Sequence, residues 1–120
     1  MKKMVLVAVA LMTLTSGFAK TEKENAVQRL EQKYDMTFDM RRLAVTLDLT
    51  YDQMEAIQTI QDIFNDEMKS AAGAHGFMRH IMVDKAIEKD VRNMRQVLNE
   101  KQYNTYMQLL GLTLRNKGIR

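Results

Sequence analysis

The chain has 120 residues, 18 lysines and arginines against 15 aspartates and glutamates, 11 methionines, and no cysteine, proline or tryptophan. This length suits one domain with a real core. The missing cysteines exclude disulfides and a thiol nucleophile, and a net charge of +3 is too small to hold a nucleic acid.

The first nineteen residues read as a cleaved secretory signal peptide. Lys2 and Lys3 form a basic start, Met4 to Leu14 is almost continuously apolar, and Gly17-Phe18-Ala19 is a small-x-small cleavage site. The apolar run is too short for a stable membrane anchor. The expectation is a single helical domain over residues 20–120, delivered to the periplasm. Without Lys2 and Lys3, 16 of the 18 basic residues face the 15 acidic ones, so the working domain is close to neutral.

The absence of proline, the scarcity of glycine and the abundance of Leu, Met, Ala, Gln, Glu, Lys and Arg predict an all-α fold. No segment sustains the alternation of a strand. Four helices are expected. The first begins after the capping box Thr21-Glu22-Lys23-Glu24 and runs to about Leu47. The second runs from Tyr51 to about Ala72, with Met54, Ile57, Ile60, Phe64, Met68 and Ala71 on one face. Glycines in Gly73-Ala74-His75-Gly76 stop it. The third runs from Phe77 to about Val97, and the fourth from Glu100 to about Arg115.

Two of these starts share a pattern 49 residues apart. Leu49-Thr50-Tyr51-Asp52-Gln53 precedes the second helix and Leu98-Asn99-Glu100-Lys101-Gln102 the fourth. In each, Thr50 or Asn99 is the N-cap, and Gln53 or Gln102 reaches back from the third helical position. The preceding Leu49 or Leu98 is placed to form a hydrophobic staple. The repeat predicts two capped helical hairpins in series.

Helical phase, at about 100° per residue, gives the first helix two apolar stripes: Val27, Leu30, Tyr34 and Phe38 on one side, Met36, Met40, Leu43 and Leu47 on the other. Phe77, Met78, Ile81 and Met82 likewise point away from the later stripe Ile87, Val91, Met94 and Leu98. Two readings follow for the first helix. A kink near Asp35 to Asp39 resets the phase and sends everything into one core, or one stripe faces a partner. On the second reading Met36, Met40, Phe77, Met78, Ile81 and Met82 form a client or dimer surface, with methionines able to repack against varied partners.

Catalysis has little to work with. Ser70 is the one serine after the signal segment, and carboxylate pairs such as Asp62 with Asp66 read as solvated helix faces. The chain is not expected to be an enzyme or to hold a cofactor. His80 and Asp84, one helical turn apart, with His75 in the glycine loop, offer an alternative reading as zinc or copper ligands, with Met78 and Met82 as added soft donors. The competing reading is a histidine at the core's edge bonded to Asp84. Arg41-Arg42 reads as a solvated face, or as a contact for an acidic partner or lipid headgroups.

The paired Leu49-Thr50-x-x-Gln53 and Leu98-Asn99-x-x-Gln102 motifs, on an exported, cysteine-free helical chain, resemble those of the LTxxQ-motif periplasmic proteins, the Spy and CpxP group. Asn99 stands where that motif has threonine. The resemblance implies an elongated four-helix protein pairing into a curved antiparallel homodimer, with Leu49, Thr50, Gln53, Leu98 and Gln102 in structural roles. It implies ATP-independent chaperones or envelope-stress modulators, which bind unfolded or envelope proteins or a stress-sensor domain, and in some branches metal-binding proteins.

Overall fold

A computed structural model of the chain describes residue 26 and residues 28–119. The expected signal segment, its cleavage site and the capping box at Thr21 lie outside the described residues. The chain divides into two compact units, residues 1–30 and 31–120. In the first, residues 26 and 28–30 are helical. The second is all-helical: after helical backbone at 31–33 come α1 (Met40–Leu47), α2 (Tyr51–Ala72), α3 (Gly76–Val97) and α4 (Glu100–Asn116). Among the described residues there is no strand.

The expected continuous first helix is broken. Residues 35–39 are non-helical, and their side chains supply the reason. The Asp35 carboxylate accepts from the backbone N–H of Thr37 at 2.9 Å and from its hydroxyl at 2.5 Å. These bonds hold the Asp35 carboxyl below the usual carboxylate range. The backbone N–H of Met36 donates to Asn65 Oδ1 at 2.7 Å, on α2. Asp39 then caps α1 by accepting from the N–H of Arg41 at 3.0 Å. Short polar side chains offer the backbone an alternative to helical bonding, and here Asp35 and Asp39 do so from within the segment and Asn65 from α2.

The break resets the helical phase, so residues from both expected stripes turn inward. Tyr34, Met36, Leu43 and Leu47 are all buried, and Phe38 meets the ring of Tyr106 edge-on, with centroids 6.4 Å apart. Met36 is only 1% exposed. This corrects its expected place on a partner-facing surface.

α1 ends at Asp48, which takes the left-handed conformation at φ 57° and donates to the carbonyl of Ala44. Aspartate is one of the few non-glycine residues that adopt this cap readily. α2 buries Ile57, Gln61, Phe64, Met68, Ala71 and Ala72, a 3–4 spacing that draws one stripe along the helix. α3 answers with Val83, Ala86, Ile87, Asp90 and Met94. The two helices run antiparallel, with Lys89 Nζ 3.0 Å from Glu67 Oε2. α4 contributes Gln102, Tyr106, Leu110 and Leu114 and packs on α3 and α1, while α1 also packs on α2. α3 begins at Gly76, one residue before the expected Phe77, and Gly76 has φ +48°, a conformation that side-chain-bearing residues rarely adopt.

Candidate functional site

The two motifs form their capping boxes and then meet. Thr50 Oγ1 accepts from the N–H of Gln53 at 3.2 Å, and Gln53 Oε1 accepts from the N–H of Thr50 at 2.9 Å. Asn99 and Gln102 repeat the arrangement at 2.8 and 3.0 Å. The outer face of each amide then reaches the other motif. Gln53 Nε2 donates to Gln102 Oε1 at 2.9 Å, and Gln102 Nε2 to Gln53 Oε1 at 3.2 Å.

Each glutamine also caps the end of a different helix. Gln53 Nε2 donates to the carbonyl of Val97, the last residue of α3, at 3.0 Å. Gln102 Nε2 donates to the carbonyls of Leu47 and Asp48, at the end of α1, at 3.0 and 3.1 Å. Four helix termini thus meet in one clasp, which satisfies groups that a helix end leaves without partners. Gln102 and Leu98 are buried, and Leu49 is half-buried. The sequence showed each box but not their junction, because the bond between Gln53 and Gln102 depends on a contact across 49 residues.

The residues read as a binding surface divide. Phe77 and Met78 stand on the first turn of α3 and are 79% and 54% exposed. Ile81 and Met82, one turn on, are half-buried, as is Met40 on α1. Helical geometry turns Phe77, Met78, Ile81 and Met82 away from the stripe Val83, Ala86, Ile87, Asp90 and Met94 that faces the core. Met82 also lines an open groove of about 370 Å³ between α2 and α3, with Glu67, Ser70, Lys85 and Lys89. Met36 is separate from this group, as described above.

His75 is the N-cap residue of α3 without a capping side-chain bond, and His80 lies within the helix. Both are exposed, as is Asp84. Among the described residues no group of three or more His, Cys, Asp or Glu side chains could hold a metal ion.

A second polar feature lies deep in the core. Asp90 is 2% exposed, and its Oδ2 accepts from the hydroxyl of the fully buried Tyr106. Its Oδ1 has no partner among the described residues, nor do Gln61 Nε2 and Glu67 Oε1. Burial pushes the Asp90 carboxyl up to about 6; the Tyr106 hydrogen bond lowers it and the nearby Glu67 charge raises it. Burial also pushes the Tyr106 hydroxyl up, helped by the charge of Asp90. The signal in the sequence was spacing, since Asp90 stands four residues from both Ala86 and Met94 on the buried face.

Comparison of the chain with protein-family models, with curated proteins and with solved structures finds no match.

Proposed function

We propose that this is an exported, non-enzymatic periplasmic protein that binds exposed apolar segments of unfolded or envelope proteins, or of a stress-sensor domain, without nucleotide. The observation that carries this reading is the exposed strip at the start of α3. Phe77 and Met78 face solvent there, beside the half-buried Ile81 and Met82, although the same chain buries Phe64, Met68 and Met94 completely. An apolar strip on a rigid helix gives a partner an attachment area, and unbranched methionines let that area fit more than one sequence. The clasp supports the reading indirectly, because it fixes the helix ends without using any residue of the strip. The finer architecture belongs to the same proposal: two capped hairpins, elongated, pairing as a curved antiparallel homodimer in which the strip serves clients or the second copy.

The test is light scattering from a chemically unfolded client diluted into increasing amounts of the protein without ATP. Suppression near stoichiometric ratios, lost when Met78 and Met82 become Ser, is expected. No suppression at large excess would remove the client-binding reading. Sedimentation of the same two proteins reports whether the strip also holds a second copy together.

A further inference from the structure

One cavity lies apart from both the clasp and the strip. It has a volume of about 320 Å³ and is lined on its apolar side by Tyr34, Val83 and Ile119. Tyr34 and Val83 are 6% and 5% exposed, so they form a floor set into the core. Lys33, Arg79 and His80 line the rest, together with a single carboxylate, Asp84.

The cations are held in place. Lys33 Nζ and Arg79 Cζ each lie 5.9 Å from the centroid of the Tyr34 ring, an attraction that gathers two like charges around one aromatic ring. Arg79 Nε and Nη2 donate to the carbonyls of Ala74 and Ala72, at 3.1 and 3.3 Å, which fixes the guanidinium plane. A guanidinium has five N–H donors, so others remain for a ligand.

We propose that this cavity is a binding site for a small organic monoanion, a carboxylate with a short alkyl chain. The carboxylate lies between Lys33 and Arg79, where the fork geometry of the guanidinium matches two oxygens. The alkyl chain lies on Tyr34, Val83 and Ile119. One feature favours this class over phosphate: the apolar floor of Tyr34, Val83 and Ile119 offers nothing to a ligand that is polar all round. The site uses no residue of the exposed strip and does not depend on client binding.

The experiment is a titration of the protein with hexanoate, acetate and inorganic phosphate at constant ionic strength, followed by methyl NMR. Hexanoate is expected to saturate, shifting the methyls of Val83 and Ile119 and leaving those of Met78 and Met82 in place. Acetate is expected to bind on the order of a hundredfold more weakly, since four fewer methylenes meet the apolar wall, and phosphate more weakly than hexanoate. Lys33→Gln, on an exposed side chain, is expected to weaken hexanoate roughly fivefold by removing one charge-assisted partner. Lys89→Gln, in the groove on α2 and α3, is expected to have no effect. Shifts that do not saturate, shifts centred on Met78 and Met82, phosphate binding as tightly as hexanoate, or indifference to Lys33→Gln would each overturn the proposal.

Discussion

The clasp at Gln53 and Gln102 and the buried pair of Asp90 and Tyr106 place the same kind of group, a polar side chain among apolar ones, in opposite circumstances. In the clasp both amides use donor and acceptor alike, against two N-caps, two helix C-termini and each other. At Asp90 one oxygen is bonded, and among the described residues the other has no hydrogen-bond partner and no ion pair answers the charge. A satisfied polar group specifies one geometry at little net cost, whereas an unsatisfied one opposes folding for as long as it stays charged. One region therefore depends on the shape of its partners, the other on pH.

The largest effect is expected from breaking the clasp. Gln102→Ala takes their side-chain partner from the carbonyls of Leu47 and Asp48 and from the N–H of Asn99, and leaves Gln53 with only its bonds to Thr50 and Val97. A loss of about 3 kcal/mol is expected, since each deserted buried group costs about 1–3 kcal/mol and water repairs part of it. Urea denaturation measures it, and a loss below a third of that size would show the clasp to be ornamental.

Next comes the pH response of the other region. Asp90 has a folded-state value of about 6 against an ordinary 3.8, so the native state holds this proton more tightly than the unfolded chain does. Its contribution is fully present below pH 3.8 and is lost as pH rises through about 6. The expected decline from this group is up to about 3 kcal/mol, at 1.36 kcal/mol per pKa unit. Asp90→Asn should flatten that decline in urea denaturation curves recorded from pH 4 to pH 8. A variant with the same pH slope as the original would place the titration elsewhere.

The smallest effect sharpens the comparison within the clasp itself. Thr50→Ala removes one cap acceptor at an exposed helix start and leaves the glutamine pair in place. It should cost about 1 kcal/mol, the usual value for a lost cap. Equal losses for Thr50→Ala and Gln102→Ala would mean that the bonds between the motifs add nothing to the boxes.

These regions also differ in how far the sequence discloses them. The starts of α2 and α4 were legible because a capping box is local chemistry, complete within four residues. The bond between the boxes was not, since nothing near Gln53 in the sequence says that Gln102 will lie beside it. The break at 35–39 was partly legible, as a kink that would reconcile two apolar stripes. What decided for it was the turn chemistry of Asp35, Thr37 and Asp39, and burial of Met36 followed. Asp90 was concealed by its type, since a carboxylate in an apolar stripe is taken for a surface residue unless phase is weighed above polarity. The cationic cavity had no linear signature, because Lys33, Arg79 and Ile119 come from three separate segments.

The pairing of Gln53 with Gln102 also restricts how such a chain can change over generations. Each side chain must accept from its own N-cap and donate to the far motif, so each amide has one permitted orientation, much as the two bases of a pair read one another. Glutamate at either position would have no proton to donate to the distant carbonyl, and asparagine would fall one methylene short. Sequence drift at one motif is therefore audited by the other, and the two halves of the chain are inherited as a single unit.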